Sequence, residues 1–272
     1  MPMPLVRDRL VPALIGFSGT LHRRNLVGAS EATARAALAA VAECRLAARD
    51  RAAAESNFQD MLDAARRLFA DRPNPCSAQA LSGIGRVRME SGNAAQAAEY
   101  MTRTLDVHRR LYPNRDHPDL ATSMNNVAFA YERIGRAAEA ESLYRQALEM
   151  RRRCFKGPHP EVAHSLANLA WCLRRLGRPD ESEPLFAQSL DMTRQLNIGD
   201  HFDLATSLFE LASIRLSLGR ATDAAPLAEQ AVAMAERLLP GDHPRLKEYR
   251  DFLATCRALA TPPEDRRNLW PH

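Results

Sequence analysis

Lysine is almost missing from this 272-residue chain: Lys156 and Lys247 are the only two, so nearly all of its positive charge is arginine. Thirty-seven basic residues against 33 acidic ones leave +4, and the arginines alternate with acids, so no nucleic-acid partner is expected. Aromatics are scarce at 6% and β-branched residues are sparse, which argues against a sheet-rich fold; the prevalence of alanine, leucine and arginine favours helices. There is no run of 18 apolar residues, so no membrane-spanning helix is expected. The five cysteines, Cys44, Cys76, Cys154, Cys172 and Cys256, are an odd number without a CxxC pair, which fits free thiols in a reducing cytoplasm better than a disulfide framework. No HExxH, no Ser-His-Asp order and no phosphate-cradling glycine loop occurs, so the sequence announces no enzyme, no cofactor and no metal site. The opening MPMPLVRDRLVPALIGFSGTLHRR has a single acid, Asp8, and an apolar stretch broken by Pro12 and Gly16. An organelle transit peptide stays open there beside the cytoplasmic expectation.

What is present is a repeat. Asp116-His117-Pro118 returns as Pro158-His159-Pro160, Asp200-His201-Phe202 and Asp242-His243-Pro244, each 42 residues on, and Gly135-Arg136, Gly177-Arg178 and Gly219-Arg220 follow the same offset. Between the two ladders, Leu120, Met124, Val127, Tyr131 and Ile134 advance in steps of four and three, which is one face of a helix. Val162, Leu166, Leu169, Leu173 and Leu176 copy it, as do Leu204, Leu208, Leu211 and Leu218, with Arg215 intruding. A second helix follows each Gly-Arg turn. Its inward residues are Ala140, Leu143, Tyr144, Ala147 and Leu148, then Ser182, Leu185, Phe186, Ser189 and Leu190, then Ala224, Leu227, Ala228, Ala231 and Val232. Small residues at the first and fourth places let the helices approach, so each unit reads as a helical hairpin and the fold class as all-α.

The boundaries have physical causes. Proline after His117, His159 and His243 suits a first helical turn, and Asp119, Glu161 and Asp203 set negative charge against it. The turn glycines stop the first helix. A shift of one residue per unit extends the frame upstream, giving a weaker hairpin from Pro73 with Gly92, Ala97, Met101 and Leu105. A fainter one begins near Ser30, with Val41, Ala42, Ala54, Phe58 and Leu62, and Arg49 in the glycine's place. The count is therefore about five hairpins, starting near 30, 73, 116, 158 and 200. A C-terminal helix over 242–260 keeps Leu246, Leu253 and Ala254 but carries Arg250 and Arg257 in the seam, the polar face of a capping helix. Residues 1–29 are an unassigned extension and 261–272 a flexible tail. A HEAT-like array of similar period is the alternative fold.

The stretch HPDLATSMNNVAFAYERIGRAAEAESLYRQALEMRR, His117 to Arg152, and its copies resemble the 42-residue tetratricopeptide repeats of kinesin light chain. The resemblance implies a right-handed α-solenoid whose first helices line a concave groove that binds peptides or partner proteins. It also implies that an asparagine on the first helix bonds the bound peptide's backbone, a place held by Asn126 and Asn168; Glu210 and Gly83 depart from it. Helical spacing adds Asn125, Phe129 and Arg133 in one hairpin and His164, Trp171 and Arg175 in the next, with Phe209 and Ser213 after them and Arg86 before. Aromatics beside arginines have the composition of binding hot spots. The reading is a non-catalytic scaffold for a protein or peptide partner. A peptide-sensing regulator or an accessory subunit of a biosynthetic enzyme is the alternative. The histidine ladder cannot share one metal, because equivalent places in successive hairpins lie roughly 8–10 Å or more apart and zinc needs ligands at about 2.1–2.3 Å; it is expected to order the loops. Cys44, Cys172 and Cys256 fall at a packing place shared with Ala130 and Ile214.

Overall fold

The computed structural model of the chain describes Glu43 and residues 50–69, 72–196 and 202–261. The extension 1–29, the start of the first hairpin, His201, Cys44 and residues 262–272 lie outside them. Within them are ten α-helices: α1 (Arg51–Phe69), α2 (Pro75–Glu90), α3 (Ala94–Leu111), α4 (Pro118–Arg133), α5 (Ala137–Cys154), α6 (Pro160–Arg175), α7 (Pro179–Leu196), α8 (Phe202–Ser217), α9 (Ala221–Leu238) and α10 (Pro244–Ala260). The boundaries follow the His-Pro and Gly-Arg ladders. The chain divides into two compact units within α5, one ending at Leu143 and the other beginning at Tyr144.

In the first unit α2 packs on α1 and α3, and α3 on α4. Ala54, Phe58, Met61 and Leu62 of α1 bury themselves against Leu81, Ile84 and Val87 of α2. Gly83 is required by that approach, since a Cβ there would stand 2.4 Å from the Phe58 ring. This is the physical reason that the asparagine place is glycine in this hairpin. An amide side chain has no room.

In the second unit α6 pairs with α7 and α8 with α9, while α10 packs on α9. Phe186, Leu190, Leu208, Leu211, Val232, Leu246, Tyr249 and Leu253 share one buried core. Ser182 and Ser189, expected only to be small, also donate across the hairpin to the carbonyls of Ala170 at 2.7 Å and Ala163 at 2.9 Å. Each such bond satisfies a buried hydroxyl that would otherwise be costly. The seam positions that broke the apolar pattern are paired. Arg215 reaches Glu183 at 3.0 Å, Arg250 reaches Glu236 at 2.7 Å and Arg257 reaches Glu229 at 2.8 Å.

Both sequence ladders are helix-end devices. Gly177 takes φ +75°, its N–H bonding Arg174 O at 3.0 Å while the Arg178 N–H bonds Leu173 O at 3.0 Å, the two bonds of a glycine C-cap. Arg178 then ties to Glu181 at 2.6 Å in the following helix, as Arg136 does to Glu139. At the other ladder His117, His159 and His243 are N-caps. Each ring Nδ1 accepts the backbone N–H two residues on, at 3.2 Å. Asn74 does the same work in the preceding hairpin, accepting Ser77 N–H at 2.8 Å. Tyr112 stacks on His117 and Phe155 on His159, both at 3.6 Å between ring centres.

Candidate functional site

The first helices carry the largest exposed rings. Phe129 on α4 is 46% exposed and Trp171 on α6 37% exposed, at equivalent places of successive repeats. Trp171 sets one edge against Phe186 of α7, with ring centres 5.8 Å apart, and the Arg174 guanidinium lies over it at 5.1 Å. Part of the indole is thus a packing surface, and part faces outward. His164, Asn168, Trp171 and Arg175 fall on one face of α6 by helical spacing. His164 and Arg175 are exposed and Asn168 is half-buried. On α4 the corresponding face brings Asn125, Phe129 and Arg133 into line, with Asn126 beside them; both asparagines are half-buried and Arg133 is exposed. Arg86, on α2 in the first unit, is ion-paired with Glu43.

Phe209 has a different environment. It is half-buried, stacked on Tyr249 of α10 at 4.4 Å and tilted against Phe252 at 4.8 Å, so much of its ring serves the packing of α8 on α10.

One pairing escaped the sequence reading. Glu210, which stands at the asparagine place, takes a bond from Arg174 of α6 at 3.2 Å, and Arg174 also reaches Ser213 Oγ at 3.1 Å. The carboxylate is only 13% exposed. Burial pushes it up to about 7, with Glu248 acting in the same direction and Arg174 and Arg245 opposing. The signal in the sequence was available: an acid replaces an amide, and an arginine lies 36 residues earlier, the spacing at which adjacent first helices face one another. A second polar link ties second helices to the first helices that follow. His108 Nδ1 lies 2.6 Å from Ser123 Oγ. In the next repeat the buried Arg151 donates to Ser165 Oγ at 2.6 Å and pairs with Glu161. Burial lowers the pKa of both His108 and Arg151, with Asp119 opposing in the first case and Glu161 in the second.

The described histidines of the ladder, His117, His159 and His243, are occupied as caps. Among the described residues no group of three potential ligands gathers. Cys76, Cys172 and Cys256 are buried thiols and Cys154 is a half-buried one; no described helix is long and apolar enough to cross a membrane.

The tetratricopeptide repeat model matches residues 76–153, 119–195 and 162–237, more than half of the sequence. The chain belongs to the tetratricopeptide repeat family. Solved structures share the family fold at low identity. The putative kinesin light chain of Podosopora anserina, with nearly identical TPR-like repeats, is 22% identical, over 72% of this chain and 92% of that one, at a TM-score of 0.62. BtubC (BKLC) from P. vanneervenii is 20% identical over 88% and 92%, at 0.70. The apo form of RapI is 12% identical over 93% and 94%, at 0.61. None of the curated proteins matches it. Tetratricopeptide repeats are a fold for protein interactions, and membership leaves the partner to be argued from the surface.

Proposed function

We propose that the chain is a non-catalytic scaffold of the cytoplasm that binds extended peptide segments of a partner protein on the first-helix face of each unit. On α6 the contacts are Trp171, Asn168, His164 and Arg175; on α4 they are Phe129, Asn125, Asn126 and Arg133. The observation that carries the reading is that, among the described residues, the two large rings left exposed on first helices, Phe129 at 46% and Trp171 at 37%, occupy one repeat position and are flanked by arginine and asparagine. Full burial of such a ring is worth about 1.5–3 kcal/mol, and a bound segment recovers the part of it that the exposed area of each ring forgoes. The amides can both donate to and accept from a peptide backbone.

The test begins with peptides selected from a random display library against the whole chain. Affinity for them falls by about tenfold or more in Trp171→Ala and Phe129→Ala, equivalent to about 1.4 kcal/mol, while each variant keeps a cooperative melt. Selected peptides that bind both folded variants as tightly as the parent would sink the proposal.

A further inference from the structure

A cavity of about 290 Å³ in the first unit lies between the end of α1, the start of α2 and the end of α3. Four arginines line it, Arg66, Arg72, Arg103 and Arg110, against one carboxylate, Asp106. That carboxylate is itself 3.5 Å from Arg109, outside the cavity. Arg66 reaches Asp63 of its own helix at 3.4 Å. Among the described residues neither Arg72 nor Arg103 has a carboxylate partner.

The repeat shows what is unusual here. Later second helices meet through one recurring rung, an arginine donating to a glutamine 36 residues on: Arg152 to Gln188 at 3.3 Å and Arg194 to Gln230 at 3.1 Å. The glutamine place holds Gln146, Gln188 and Gln230 in succession. Carried back through the one-residue shift, the equivalent places on α1 and α3 are Arg66 and Arg103, both of which line the cavity. The acceptor has been replaced by a second cation. Two guanidiniums that line one cavity repel, and the oxygen that Arg66 reaches belongs to Asp63 of its own helix rather than to α3.

We infer that this cavity is an anion site, built for a small phosphate-type dianion that bridges Arg66 and Arg103 where later repeats use a glutamine oxygen. Several planar guanidinium forks suit a group with three or more acceptor oxygens better than a monocarboxylate, which one fork would satisfy. The backbone start of α2 adds positive potential at the same rim. Leu62 and Leu81 give the cavity an apolar side that tolerates the organic part of a phosphate ester. This inference stands apart from the peptide proposal, since none of its residues belongs to that face.

Titration calorimetry on the full chain at pH 7.5 and constant ionic strength, with inorganic phosphate, pyrophosphate and glycerol phosphate as separate ligands, tests it. Saturable binding of one equivalent of at least one of them is expected, and the arm that binds tightest distinguishes a free ion from an ester. Arg103→Gln installs the residue of the later repeats and weakens binding tenfold or more, as does Arg72→Gln. Arg51→Gln removes a cation from the same unit outside the cavity and leaves binding unchanged. Absence of binding at millimolar ligand overturns the inference. So does equal weakening by Arg51→Gln, which would mean diffuse charge, or wild-type affinity in Arg103→Gln and Arg72→Gln once circular dichroism shows them folded.

Discussion

Glu210 stands where Asn126 and Asn168 stand in the preceding repeats, and its exchange of an amide for an acid has a thermodynamic signature. Its folded pKa, about 7 because of burial, is above the ordinary carboxyl value, so the folded chain binds the proton more tightly than the unfolded one. The contribution to stability is therefore fully present below about pH 4.5 and is lost as pH rises through about 7. At 1.36 kcal/mol per pKa unit the whole effect is on the order of 3 kcal/mol. Thermal melts of Glu210→Gln should lose this decline between pH 4.5 and 7 while keeping a side chain that accepts from Arg174. An unchanged slope in the variant would show that the carboxyl titrates normally. The same position determines what a ligand meets on α8: a neutral carboxyl can donate and accept like an amide, and a carboxylate only accepts.

The first-helix N-caps make the recurring histidine an element-scale device. Because Nδ1 accepts a backbone N–H at His117, His159 and His243, each ring must carry its proton on Nε2, and nitrogen NMR of the three should report that one tautomer. His159→Ala should cost about 0.5–2 kcal/mol in chemical denaturation, the usual worth of a side-chain cap. His159→Asn should recover the capping part of it, because Asn74 fills the same role on α2. Equal stability of the alanine variant and the parent would make the cap idle. The turn glycines are the complementary stop. Their positive φ values, +81° at Gly135 and +75° at Gly177, explain why a residue so costly inside a helix recurs at this one offset.

At the scale of the molecule, the helices were legible because apolar steps of three and four, capping residues and turn glycines all agreed on the same boundaries. Arg215 reads as an intrusion in the seam and Arg250 and Arg257 as the polar face of a capping helix, but their ion partners are not legible, since the spacing of one helix does not name a partner on another. The face of the first helices was legible as composition. Its geometry was not: the burial of Phe209 under α10, the loss of the asparagine place to Phe58 at Gly83 and the Arg174–Glu210 pair all depend on which neighbour lies alongside. The arginine cavity was hidden for the same reason, because Arg66 and Arg103 are remote in sequence and become a pair only once the glutamine rung of the later repeats is seen. Two groups described above make the units opposite in their response to acid. His108, its pKa lowered below 6.5 by burial beside Ser123, contributes stability that is present above pH 6.5 and lost as pH falls; Glu210 does the reverse. Unfolding near pH 6 thus takes up protons from solvent at His108 and releases them at Glu210. Scanning calorimetry in buffers of differing ionisation enthalpy measures the net proton exchange of the whole chain, to which the two groups contribute with opposite sign. His108→Gln should shift that exchange towards release and Glu210→Gln towards uptake, with a shift of the same sign in both variants excluding the pairing. Mild acidification therefore works in opposite directions at two points of one chain, adding stability at Glu210 and removing it at His108.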